Sequence, residues 1–283
     1  MIWTCLGALP VGHSPIVPSR AHHVNPPPAI DIYDATMTRY ETSGEFRGAE
    51  FVDLDMTGAR FREVDLSGVR MTGVMLINAD LDGVIGGLRV NGVEVAPLIE
   101  AELDRQHPER TKLRPSTPDG MREAWAIVES FWAGTMRRAE ALSDVDRHRS
   151  VDGEWSFADT LRHLVFATDS WLSHAILGEP HPFHPLALPP SFITDGDTFG
   201  IDSAARPGYP EVVALRQERL AAVRDFLATV TQEELDRERS PNLAPGWPPP
   251  AARTATQCLR VILNEEWAHH QFAVRDLAAI EAG

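Results

Sequence analysis

A five-residue repeat constrains this chain more than any other feature of its sequence. From residue 46 an apolar side chain recurs at every fifth position, and most are preceded two places earlier by a small or aliphatic residue. The apolar positions are Phe46, Phe51, Met56, Phe61, Leu66, Met71, Leu76 and Leu81. A period of five matches neither the 3.6-residue period of an α-helix nor the two-residue period of a strand. Because one unit cannot bury its apolar pair alone, such units have to stack on one another.

The segment resembles the pentapeptide-repeat family. That resemblance implies a short right-handed quadrilateral β-helix over residues 37–95, with the apolar side chains pointing inward in about two coils. Gly86-Gly87 and Val90-Asn91-Gly92-Val93 predict turns and a short strand that close it. We interpret the module as a scaffold or docking surface. Larger members of the family mimic DNA with an acidic surface, for which two coils are too short.

The remaining N-terminal residues and the composition limit what the protein can do. Residues 1–36 are rich in proline without a helical or strand period, so we predict that they are disordered, with Met37 as an alternative translation start. A net charge of −15 disfavours nucleic acid as a partner. The two cysteines favour a reducing cytoplasm, and the sequence offers no apolar run long enough for a membrane span.

Helical periodicity replaces the repeat after Pro97. Residues 96–117 predict a connecting helix, ended by His107-Pro108, and a linker, and residues 118–283 predict a four-helix bundle. The predicted long helices start at Thr117-Pro118, span Phe157 to Leu177, span Pro210 to Val230, and span Thr254 to Ile280. Residues 178–208 form a long loop of the kind that often contributes to binding sites. The predicted fold class is therefore an α+β multidomain protein.

Three residues of metal-ligand type fall on helix faces that the pattern assigns to the core. His163 is flanked by apolar residues in the second long helix, and Glu265 and His269 lie four apart on one face of the last. Together they can bind one cation and leave a position open for water or substrate, as in catalytic zinc sites. Glu266 and His270 have the same spacing on the adjoining face, and both faces are partly apolar, so the spacing alone leaves the register open.

The segment from Glu265 to His270 resembles the last-helix motif of DinB-like proteins, particularly the mycothiol-dependent maleylpyruvate isomerase branch. The similarity extends over residues 118–280 and includes Trp155-Ser156-Phe157 and His163-Leu164. It implies that His163, Glu265 and His269 are the ligands of a divalent metal, usually zinc. Many DinB relatives have three histidines, whereas Glu265 takes the middle position here, as in the mycothiol branch.

The resemblance gives two hypotheses of function. In the first, the bound metal stabilises the thiolate of a small thiol, mycothiol, for attack on an electrophilic substrate, and the protein is a thiol-dependent S-transferase or isomerase. In the second, the protein is a metal-stabilised binding protein without turnover. The sequence leaves open whether the chain forms a homodimer. Five further residues could line the pocket or exchange protons, although solvent exposure is the favoured explanation of the histidines and packing that of the tryptophan: His174, His181, His184, Asp169 and Trp171.

Overall fold

The computed structural model describes residue 40 and residues 46–282, which divide into two units between Val64 and Asp65. The predictions of disorder over residues 1–36 and of a start at Met37 lie outside the described residues. Each unit is considered by itself below.

The repeat segment consists of regularly spaced turns. Backbone N–H groups of Ala49 and Ala59 in one unit, and of Val69 and Ala79 in the other, donate to carbonyls three residues earlier. The apolar residues of the register are between 41 and 63% exposed. Residues 46–88 contain no strand. The buried interior of a β-helix is therefore not observed, and the quadrilateral β-helix stays a prediction.

A hairpin follows the repeats where turns and a short strand were predicted. Strand β1 (Arg89–Val90) pairs antiparallel with β2 (Val93–Glu94). Asn91 and Gly92 join them with φ values of +50° and +83°, as a two-residue hairpin turn requires. The structure thus has two short strands at this point.

Seven α-helices follow in the described part of the chain, and the four longest begin close to their predicted starts. They are α1 (Ala96–Gln106), α2 (Pro118–Glu140), α3 (Asp144–Arg147), α4 (Phe157–Thr168), α5 (Tyr209–Thr229), α6 (Gln232–Asp236) and α7 (Ala255–Glu281). The chain continues from α4 as a π-helix over Asp169–His174, so the predicted second helix changes its hydrogen bonding near its end. A second hairpin pairs β3 (Glu238–Arg239) with β4 (Arg253–Thr254).

Side-chain caps explain where three of the long helices begin. The side chains of Thr117, Ser156 and Thr254 accept hydrogen bonds from backbone N–H groups in the first turns of α2, α4 and α7. Each satisfies a donor that the helix itself leaves without a partner. Thr254 and Gln257 form a capping box, which fixes the start of α7.

The four long helices surround one apolar core. Helix α2 packs against α5 and α7, and α4 packs against the same two helices. The segment predicted as connecting helix and linker also packs on this bundle, since Leu113 joins the core and the Arg110 guanidinium lies 4.7 Å from the centre of the Trp267 ring. None of the helices in the described residues combines the length and apolar character needed to cross a membrane.

The long loop over residues 178–208 is ordered by a small core of its own. Phe183, Ala187, Phe199 and Ile201 pack against Val165, Phe166 and Leu215. Arg162 of α4 donates to the carbonyl of Leu186 at 2.8 Å, and the Leu188 N–H donates to the carbonyl of Arg162 at 3.2 Å. These contacts hold residues 186–188 against α4, close to His163.

Candidate metal centre

The bundle brings His163, Glu265 and His269 together. His163 lies in the middle of α4, and Glu265 and His269 lie one turn apart on α7, which packs against α4. All three are buried, with 1 to 6% of each residue exposed. Within the described residues they are the only group of three or more His, Cys, Asp or Glu whose ligand atoms converge, and these atoms lie within 4.8 Å of one another.

The distances fit a shared cation better than direct hydrogen bonds. The Glu265 Oε2 atom lies 3.5 Å from His163 Nε2 and 3.4 Å from His269 Nε2. Those separations are long for a hydrogen bond between such groups. Two ligands that each bind zinc at about 2.0–2.1 Å in a tetrahedral arrangement lie about 3.4 Å apart. The carboxylate oxygen is thus spaced from each imidazole nitrogen as two ligands of one tetrahedral ion would be.

Two of these atoms are buried without a partner. Glu265 Oε2 and His269 Nε2 make no hydrogen bond to any described part of the chain. A buried polar atom without a partner is costly, and a buried carboxylate especially so. A cation between the three residues would satisfy both atoms, so the donor set fits a metal ion.

The long loop orients the first ligand. His163 Nδ1 lies 3.1 Å from the carbonyl oxygen of Leu188. Because a carbonyl only accepts, Nδ1 carries a hydrogen, and Nε2, which faces Glu265, is the nitrogen left to bind a metal. A ligand histidine held in this way by its second nitrogen is a regular feature of protein metal sites.

The pKa values of the cluster favour its ligand form. Burial acts to raise the pKa of Glu265, but His163 and His269 together outweigh it and hold the pKa below the usual range. Burial lowers the pKa of His269 to about 4, against the opposing effect of Glu265. At neutral pH the carboxylate is therefore charged and His269 is neutral, which are the forms that bind metals.

The alternative pair, Glu266 and His270, is committed to other partners. Both Glu266 oxygens accept from the Arg216 guanidinium of α5, and His270 Nε2 lies 2.7 Å from Thr135 Oγ1 of α2. Burial raises the pKa of Glu266 against the effect of Arg216. The two pairs thus differ in their contacts: Glu265 and His269 converge with His163 in a group that could hold a metal ion, whereas Glu266 and His270 contact Arg216 and Thr135.

Trp155 covers the cluster. Its ring centre lies 4.6 Å from that of His163 and 6.0 Å from that of His269, with the second pair stacked. Trp155 is partly exposed, whereas the three candidate ligands are almost fully covered. The ligands are therefore closed to a substrate in this conformation.

The other residues singled out in the sequence lie outside this cluster. His174 contacts Asn242, and Trp171 packs on the main core near Arg253. Asp169 accepts from the Arg219 side chain and the His184 N–H, and burial raises its pKa to about 6. His181 is exposed. The sequence analysis did not identify two groups that contact α7 or His163, namely Arg216 and the Leu188 carbonyl. The position of Arg216 among apolar residues of α5 is a usable signal for that residue.

The fold and the site together define a helical-bundle protein with a candidate mononuclear metal centre. The family model of the DinB superfamily matches residues 95–273, and this chain therefore belongs to the DinB superfamily. Eight pentapeptide repeats match over residues 45–85, ahead of that domain. Neither a curated protein nor a solved structure matches the chain.

Proposed function

We propose that the helical domain binds one divalent metal ion, zinc being the best fit, through His163, Glu265 and His269, and acts on a small thiol. The observation that carries this proposal is a buried carboxylate oxygen without a partner, 3.4 and 3.5 Å from two imidazole nitrogens. Two histidines and a glutamate are also the ligand set of several catalytic zinc sites, which keep one position for water or substrate.

In such a site the metal supplies Lewis acidity, which lowers the pKa of a bound thiol and stabilises its thiolate. The chain's own residues do the rest. The Leu188 carbonyl holds the Nδ1 hydrogen of His163 and so keeps Nε2 free. Glu265 contributes negative charge, and the aromatic ring of Trp155 limits the access of water.

The thiol in this proposal is mycothiol, and the reaction is an S-transfer to, or an isomerisation of, an electrophilic substrate. Glu265 in the middle ligand position supports the mycothiol-dependent branch of the superfamily, since many other relatives have histidine there. The pentapeptide module, folded as a short β-helix, would serve as a docking surface and not as part of the reaction centre.

The test begins with metal content. Protein purified without chelator is expected to contain about one zinc per chain by elemental analysis, as a single three-ligand site requires, and His163→Ala is expected to contain none. Next, Co²⁺ is loaded in place of zinc and mycothiol is added. A change in the visible Co²⁺ spectrum that is absent in His163→Ala supports thiol binding at the metal. Protein that cannot be loaded with either metal would reject the proposal.

A second candidate function is a metal-stabilised binding protein without turnover. The near-complete burial of the ligands beneath Trp155 favours it, because no substrate reaches them in this conformation. For that function, metal raises the melting temperature while thiols leave the Co²⁺ spectrum unchanged. The two candidates thus predict opposite results for the same spectrum.

A further inference from the structure

Helix α7 has two candidate metal-binding faces and uses one. Glu265 and His269 form the first pair and Glu266 and His270 the second, related by a rotation of about 100° about the helix axis. Both faces are apolar in the turns before the pairs: Cys258 and Ile262 precede the first, and Leu259 and Leu263 the second. All four of these side chains are buried. Hydrophobic burial therefore does not choose between the two rotations.

Polar contacts do distinguish them. Glu266 is 1% exposed, and both of its carboxylate oxygens accept from Arg216 of α5, which is 2% exposed. Rotating α7 so that Glu266 faced α4 would separate these two buried charges. An ion pair shut away from water tolerates separation poorly and is well suited to fixing the register of a helix.

We propose that the Arg216–Glu266 ion pair sets the rotation of α7 and thereby selects Glu265 and His269 as the pair that faces His163. Arg216 and Glu266 are then positioning residues: neither binds the metal, but both decide which carboxylate does. This inference rests on the proposed metal site.

A second contact on the same face acts in the same sense. His270 Nε2 lies 2.7 Å from Thr135 Oγ1, and the His270 ring centre lies 4.3 Å from that of Phe131. Helices α5 and α2 therefore each hold one member of the alternative pair. With Glu266 and His270 held in this way, Glu265 and His269 are left free to face α4.

The experiment compares Zn²⁺ affinity in three double variants of the full chain. Arg216→Leu with Glu266→Leu removes both charges together, so that neither is left buried alone. Arg216→Glu with Glu266→Arg restores the pair with its charges exchanged. The control, Arg138→Leu with Glu281→Leu, removes another ion pair between α7 and a neighbouring helix, at 2.9 Å and partly exposed. Circular dichroism checks the fold of each.

We expect the leucine pair to weaken Zn²⁺ binding by about 10- to 100-fold, as loss of supporting contacts around ligands does. The charge exchange should recover part of that loss, and the control should stay within about twofold of the wild type, as for an exposed pair. The bound Co²⁺ spectrum should also change in the leucine pair, because its shape depends on the ligand set.

Three results would overturn the inference. One is wild-type affinity in the leucine pair, and another is a charge-exchanged variant no better than the leucine pair. The third is failure of both variants to fold, since the pair would then serve the fold and not the choice of ligands. If the wild-type chain itself takes up no Zn²⁺, the proposed function and this inference fail together. Normal uptake by the wild type with unaltered affinity in the variants rejects the inference alone.

Discussion

Two adjoining faces of α7 have the same spacing of glutamate and histidine and different surroundings. Glu266 and His270 each have a hydrogen-bonding partner on a neighbouring helix, whereas Glu265 Oε2 and His269 Nε2 have none in the described residues. Since buried polar groups are normally satisfied, the difference supports the proposal that the first face binds an additional partner. The candidate site is thus distinguished by buried polar atoms without hydrogen-bonding partners in the described residues, and not by the spacing of its residues.

The largest effect should come from removing the histidine of each face in turn and measuring metal uptake. His269→Ala is expected to abolish metal uptake, and His270→Ala to retain about one ion per chain because its side chain contacts Thr135 instead. In the wild type, free metal at about 100 times its dissociation constant should add about 2.7 kcal/mol to the free energy of unfolding. Elemental analysis and thermal melts with and without chelator check both. Loss of metal in His270→Ala would contradict the assignment of the faces.

The next test compares the two glutamates in metal-free protein. Arg216→Leu leaves Glu266 buried and unpaired, and should lower the free energy of unfolding by about 3–5 kcal/mol. Glu265→Gln removes a carboxylate whose pKa His163 and His269 hold below the usual range, so it should lower the stability of metal-free protein, but by less than Arg216→Leu because it leaves no buried charge unpaired. Urea denaturation measures both. A large loss in Glu265→Gln would mean that its carboxylate is already satisfied without metal.

Asp169 is a third buried carboxylate. It accepts a hydrogen bond from Arg219, but burial still raises its pKa to about 6. The folded protein therefore holds the proton of the Asp169 carboxyl group more tightly than the unfolded chain does. As a result, the stability that Asp169 contributes falls as the pH rises from about 4 to about 6. Relative to Asp169→Asn, the wild type should lose at most about 3 kcal/mol over that range. Denaturation series at several pH values measure the difference, which a flat profile would refute.

The smallest expected effect concerns the contact that holds His270. Thr135→Val removes the hydroxyl with little change in shape and should lower the free energy of unfolding by about 1 kcal/mol, the usual value of one hydrogen bond. Metal uptake should remain at the wild-type level, because the Arg216–Glu266 pair still fixes α7. Calorimetry and elemental analysis test the two expectations, and a fall in metal content would assign the rotation of α7 to Thr135 instead.

Much of the helical domain could be predicted because its signals are local. Thr117, Ser156 and Thr254 mark helix starts in the sequence and form caps in the structure. The same kind of signal was present at Thr231 and Glu234, whose capping box begins α6, but five residues are too few for a periodic pattern. The π-helix after Thr168 has no cap or periodic pattern that marks it in the sequence.

The candidate ligands could be predicted as residue types, but their selection could not be derived from spacing. The rotation of α7 depends on Arg216, about fifty residues earlier in the chain, and no local pattern links the two. Only the family resemblance favoured Glu265 and His269 over the second pair. The Leu188 carbonyl was out of reach for a different reason, since every residue has a backbone carbonyl and none is distinguished by its side chain.

The hydrogen bond between His163 and the Leu188 carbonyl limits how the loop over residues 178–208 can change. Because His163 is held by the backbone of residue 188, replacing the leucine side chain leaves the hydrogen bond in place. Shortening or lengthening residues 178–208 moves the carbonyl itself and releases the imidazole. Substitutions at position 188 should therefore be tolerated, whereas insertions and deletions between Phe183 and Leu188 should not, because the position of the carbonyl depends on the length of the loop and not on its side chains.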